Sequence, residues 1–169
     1  IQEIIDISRL QGGESVLDHE SVDVAGVVHE AFEGARLTAE ARGIALIADL
    51  RDRPHVLGDR DLLVMAVRNL VDNALRYSPP GSAVDLVVDA DATTVRFRLT
   101  DRGAGLEPDE YRQATQRFWR GRATGSAGGS GLGLTIVEAI AERHGGYVVL
   151  RPREGGGTVS ELVLPRQDG

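Results

Sequence analysis

The stretch RNLVDNALRYSPPG, residues 68–81, sets two asparagines, Asn69 and Asn73, four apart in a segment otherwise ready for burial. At that spacing both amides project from one face of a helix. Asn is a mediocre helix former, because its side chain competes for backbone hydrogen bonds. Two of them on one face, beside Leu70, Val71, Ala74 and Leu75, imply that something polar docks there. The segment follows Asp59, a good N-cap type, and stops at Pro79-Pro80-Gly81, which predicts a helix of about five turns.

Ahead of that helix, Val22 to Arg42 repeats apolar residues at helical intervals, and Gly43 stands where a C-cap glycine belongs. IALIADL (44–50) reads as a strand. AVDLVVDA (83–90) and TVRFRLTD (94–101), joined at Asp91-Ala92-Thr93, alternate as an antiparallel pair. Regularity fades from Arg102 to Ser130, a span too long to be a plain connection in a compact domain. A helix at GLGLTIVEAIAERHGG (131–146) and strands at YVVLRP (147–152) and GTVSELVLP (157–165) complete the pattern. Helices and strands in this order predict an α+β fold, with helices covering one face of a mixed sheet. At the other end Ile1 to Leu10 has helical spacing, stopped by the glycines of QGGE.

With 169 residues and 41 % hydrophobic content, the chain can build one well-buried core. The net charge of −7 argues against a nucleic-acid surface. Absence of cysteine excludes disulfides and thiolate zinc sites. No apolar run approaches the ~18 residues that span a bilayer. All 19 basic residues are Arg, which closes the Gly-Lys-Ser/Thr route to nucleotide binding. Arg112, Arg117, Arg120 and Arg122 nevertheless cluster just before a glycine-rich stretch, a pairing that suits an anionic ligand. The chain begins without Met on an amphipathic helix, so it reads as a fragment, with any membrane anchor outside it.

Two further motifs carry chemistry. DRGAGL, Asp101 to Leu106, puts a carboxylate at a strand end, where it can accept from an amine, beside glycines that let backbone approach a planar ligand. GGSGLGL, Gly128 to Leu134, runs straight into a helix, whose N-terminal N–H groups and dipole favour phosphate. It is not a dinucleotide fingerprint, which needs Gly-x-Gly-x-x-Gly directly after a first strand. Asparagine helix, strand-end Asp-x-Gly-x-Gly, arginine-bearing loop with RFWRG, and glycine loop occur in that order. Over roughly residues 15–165 this resembles the catalytic domain of bacterial sensor histidine kinases, in the ATPase superfamily shared with gyrase, the heat-shock chaperone and mismatch-repair proteins.

The resemblance implies a two-layer α/β sandwich, the Bergerat fold, and ATP with Mg²⁺ as its cofactors. It implies that Asn73 supplies an amide oxygen to Mg²⁺, whose remaining ligands are phosphates and waters, and that Asn69 faces the same region. Asp101 would take the adenine amino group, Tyr77 would pack on adenine or ribose, and Gly103, Gly105 and Leu106 would shape the pocket. Thr158 matches a threonine that holds adenine through water. Arg120 or Arg122 would reach the phosphates from a lid, with Gly129, Ser130, Gly131, Leu132 and Gly133 cradling them. Arg76 stands where many relatives have Lys, keeping the charge but changing its geometry. Ser160 occupies a position that is usually aromatic.

Gyrase-like and chaperone-like members place a glutamate one turn before the metal-binding asparagine, to activate water; here that residue is Asn69. ATP is then expected to be held for transfer rather than hydrolysed. The resemblance points to a protein-histidine kinase acting on a histidine of a dimerisation domain outside this chain, for relay to a response regulator. A serine kinase of the anti-sigma type and a non-transferring nucleotide-sensing module are the alternatives. ISRLQGGE, similar to the end of a second dimerisation helix, favours the first reading and divides the chain into a tail and linker (1–14) and an ATP-binding domain (15–166). The full protein is then expected to be a membrane-anchored homodimer with this domain in the cytoplasm. His19-Glu20 and His29-Glu30 match only the first dipeptide of the phospho-acceptor motif and read as surface histidines. His144 reads as structural, at a helix C-terminus where positive charge is favoured. The segment from about Glu107 to Ser130 is expected to order on nucleotide, with Trp119 as its reporter.

Overall fold

A computed structural model describes residues 20–105 and 132–167. Along them run β1 (Glu20–Asp23), α1 (Val24–Arg42), β2 (Ala45–Leu50), β3 (His55–Gly58), α2 (Arg60–Tyr77), β4 (Ala83–Ala90), β5 (Thr94–Thr100), α3 (Leu132–Arg143), β6 (Tyr147–Pro152) and β7 (Thr158–Pro165). Asp59 caps α2 through Oδ1, which accepts the N–H of Leu62 at 3.2 Å. Gly43 ends α1 in the left-handed region, φ 67°, so that its N–H and that of Ile44 close onto Glu40 and Ala39 carbonyls.

Five strands form one sheet in the order β2-β4-β5-β7-β6. β2 pairs parallel to β4, and the remaining pairs are antiparallel, which makes the sheet mixed. One face carries Val84, Leu86, Val88, Val95, Phe97, Leu99, Leu162 and Leu164, all buried against the helices. From α2 come Leu63, Ala66, Val67, Leu70, Val71 and Leu75, at the spacing of one helix face. Fully burying a residue such as Phe97 contributes about 1.5–3 kcal/mol. The other face holds an ion-pair cluster in which Arg96, Arg98 and Arg151 surround Glu161. The expected α+β sandwich, with helices on one side of a mixed sheet, is what the chain forms.

Two short strands depart from the sequence reading. β1 and β3 make a separate antiparallel pair, Glu20 opposite Gly58 through Asp23 opposite His55. The helix read from Val22 therefore starts at Val24, with Asp23 as its N-cap. Neither ESVD nor HVLG is long enough to display a period, and each becomes a strand only by meeting the other. The C-terminal end ties onto this pair, Gln167 donating its N–H to the His55 carbonyl at 3.0 Å. Among the described residues no helix is long and apolar enough to cross a membrane.

Candidate functional site

Three pieces of backbone converge beside the last turn of α2. The first is α2 itself, which presents Asn69, Asn73 and Tyr77, all half-buried. Asn69 uses its amide N–H on its own helix, donating to the Met65 carbonyl at 2.8 Å. Its carbonyl oxygen and second N–H are the parts of that amide this bond leaves for a ligand. Arg76 lies exposed on the same turn.

The second piece is the end of β5. Asp101 Oδ1 accepts two backbone N–H bonds, from Gly103 at 2.9 Å and from Thr158 at 3.3 Å. The Asp101 N–H in turn donates to the Thr158 carbonyl at 3.0 Å, one rung beyond the last β5–β7 pair. Burial pushes the Asp101 carboxyl above its ordinary value, although both N–H bonds and the charges of Arg153 and Arg102 oppose the shift. With Oδ1 occupied twice, Oδ2 is the carboxylate oxygen for which these two bonds leave acceptor capacity. Arg102 is drawn to β4, where it bonds the Ala83 carbonyl and the Asp85 carboxylate, both at 2.6 Å.

The third piece is the turn into β7. Gly157 holds φ 107°, and a Cβ there would collide with the Asp101 carbonyl oxygen. Gly103 is equally constrained, since its Cβ would stand 2.6 Å from the Tyr77 carbonyl oxygen. The β5 terminus is thus sandwiched between α2 and the β7 turn, and glycine is required on both sides. Thr158 itself is buried.

The structure therefore brings Tyr77, Asp101, Gly103 and Thr158 to one place, with Asn73 one helical turn before Tyr77 on α2. Gly105, with φ 75°, ends the described part of that loop. Leu132 and Gly133 form the first turn of α3. Leu106, Arg120, Arg122, Gly129, Ser130 and Gly131, with the lid reading that rests on them and on Trp119, lie outside the described residues. Sequence reasoning passed over Gly157, although a triple glycine (155–157) ahead of a strand was a legible signal for positive φ.

Among the described residues no group of three or more His, Asp or Glu could hold a metal by itself. A divalent ion here would need ligand oxygens from a bound molecule, with an amide such as that of Asn73 as a neutral partner. The Asp101 carboxylate suits a ligand that bears an amino group.

Residues 58–168 match the family described as histidine kinase-, DNA gyrase B-, and HSP90-like ATPase. The sensor-like histidine kinase SenX3 of Mycobacterium tuberculosis is 38 % identical over 167 residues, 98 % of this chain and 41 % of that protein. The chain thus spans about two fifths of the length of that curated relative. A structure of the mycobacterial sensor histidine kinase MprB superposes with TM-score 0.77 at 32 % identity, covering 89 % of this chain and 99 % of that one. Full-length ShkA, solved in complex with AMPPNP, gives TM-score 0.84 at 26 % identity over 99 % of this chain and 35 % of that one. The site geometry and these likenesses agree: the chain belongs to the histidine kinase-, gyrase B- and HSP90-like ATPases, and within them to the catalytic domains of sensor histidine kinases.

Proposed function

We propose that this chain binds Mg-ATP and passes its γ-phosphoryl group to a histidine on a dimerisation domain outside it, for relay to a response-regulator aspartate. The bond between the γ-phosphorus and the β–γ bridging oxygen breaks, and one to a histidine ring nitrogen forms. ADP leaves, and the ring proton passes to solvent. The full protein is proposed as a membrane-anchored homodimer with this domain in the cytoplasm, residues 15–166 being the ATP-binding unit and 1–14 the tail of a dimerisation helix.

The observation that carries this reading is the divided use of the Asp101 carboxylate. One oxygen is fixed by the Gly103 and Thr158 N–H groups, and the other would accept from an amino donor such as that of adenine. Asn73 would hold the ion, and Tyr77 the adenine or ribose. Mg²⁺, when bound, supplies charge neutralisation for the triphosphate. Asn69 supports transfer over hydrolysis, because an amide cannot take a proton from water as a glutamate does. Arg76 adds positive charge on the phosphate side.

Titration calorimetry with and without Mg²⁺ tests the reading. ATP is expected to bind more tightly with the ion, and Asn73→Asp is expected to lose that gain by setting a carboxylate against phosphates. Equal Mg²⁺ dependence in the variant would remove Asn73 from the metal role.

A further inference from the structure

Pro79 and Pro80 create a covalent gap at the end of α2. A helical carbonyl accepts from the N–H four residues ahead. Leu75 and Arg76 would look to residues 79 and 80, and proline has no N–H. Ala74 escapes this, receiving the Ser78 N–H at 3.1 Å and the Ser78 hydroxyl at 2.7 Å. The two orphaned carbonyls are instead reached from another helix. Nη1 of Arg42, the last residue of α1, donates to the Leu75 carbonyl at 2.6 Å and to the Arg76 carbonyl at 2.9 Å. Its positive charge also sits where the helix dipole favours a cation. The adjoining turn is fastened to the same end of α1, through Gly81 N–H to the Gly43 carbonyl at 2.8 Å and Ala45 N–H to the Ser82 carbonyl at 3.1 Å.

The turn that Arg42 completes carries Asn73 and Tyr77, and its Tyr77 carbonyl faces Gly103 of the Asp101 loop. We infer that Arg42 is a positioning residue for the nucleotide. It holds the last turn of α2 so that Asn73 and Asp101 keep the spacing that lets one molecule engage both. The inference rests on the Mg-ATP reading above. A ligand that touches only the Asp101 end is indifferent to that spacing, whereas one that spans both ends reads it.

The test compares adenosine with Mg-ATP on the whole chain by calorimetry, alongside thermal melts. Wild-type chain is expected to bind Mg-ATP more tightly than adenosine. Arg42→Ala is expected to weaken Mg-ATP about tenfold and adenosine far less, since an unsatisfied carbonyl pair lets the turn relax. Arg42→Lys, which restores donors at the helix end, is expected to recover most of the loss, and it serves where the alanine variant folds poorly. A purely structural role would lower the melting temperature and leave the ratio of the two affinities unchanged, and that result overturns the inference alone. Wild-type chain with no preference for Mg-ATP over adenosine overturns the nucleotide reading and the inference together.

Discussion

The N–H of Asp59 donates to Nε2 of His144 at 3.1 Å, so the residue that caps the start of α2 is held by the residue that follows α3. His144 Nδ1 meets the Ile140 carbonyl at 2.7 Å. An imidazole that accepts at Nε2 and donates at Nδ1 is neutral. The sequence reading of His144 is a structural one, and the bond to the opposed helix end gives that role its form. The α2 N-cap now uses both its parts, side chain to Leu62 and N–H to His144. This joins the helix that bears the asparagines to the helix that follows the glycine loop.

Gly58 packs against the His144 ring so closely that a Cβ would overlap it. Gly58→Ala is expected to push the ring off Asp59 and cost about 1–3 kcal/mol as an overpacked site. Denaturant unfolding of the two chains measures it. An unchanged midpoint would mean that the ring moves aside freely and that the Asp59 bond is dispensable.

Adenosine binding is expected to fade on acidification at a higher pH than an ordinary carboxylate would give. Burial raises Asp101, and adenosine needs its ionised oxygen, so affinity is lost as pH falls through that raised value. Stability of the unliganded chain runs the other way. A raised folded-state value stabilises the fold fully at pH below the unfolded value, and that contribution is lost as pH climbs through the folded one. Asp101→Asn is expected to flatten both profiles and to reduce the preference for adenosine over guanosine. Adenosine carries no titrating phosphate, so a calorimetric pH series reads the carboxyl directly; an identical series for wild type and variant would exclude Asp101 from adenine contact.

Gly156 and Gly157 share φ 107°, yet only Gly157 lies against the Asp101 backbone. Gly156→Ala is expected to cost about 1–2 kcal/mol of left-handed strain and leave adenosine affinity intact. Gly157→Ala adds a collision with the Asp101 carbonyl, and is expected to weaken adenosine at least tenfold, beyond about 1.4 kcal/mol. Paired titrations and melts separate the two effects. Equal losses of affinity in both variants would show that strain in the turn, and not contact with Asp101, governs the site.

Much of this was legible in the residues themselves. The apolar rows of α1 and α2, the alternation of β4 and β5, the Asp59 cap and the Gly43 stop depend on neighbours within a turn or two, so local sequence specifies them. Asn69 and Asn73 stood out because they interrupt an otherwise apolar helix face, and Asp101 because it closes a strand, whereas Tyr77 and Thr158 were singled out only through the family resemblance. Pro79 and Pro80 were legible as the stop of α2, and proline's missing N–H leaves the Leu75 and Arg76 carbonyls to be satisfied from elsewhere. What supplies those carbonyls was not in the stretch: Arg42 lies on another helix, and only the packing of α1 on α2 brings it there. The same holds for β1 and β3, whose four-residue strands exist through each other, and for Gly157, which must be glycine because Asp101 passes against it. His144 takes its role in the same way, since the N–H it accepts belongs to Asp59, 85 residues earlier in the chain. Periodicity fixes what a segment is, while the partners of carbonyls, carboxylates and ring nitrogens are set by whatever the fold carries up to them.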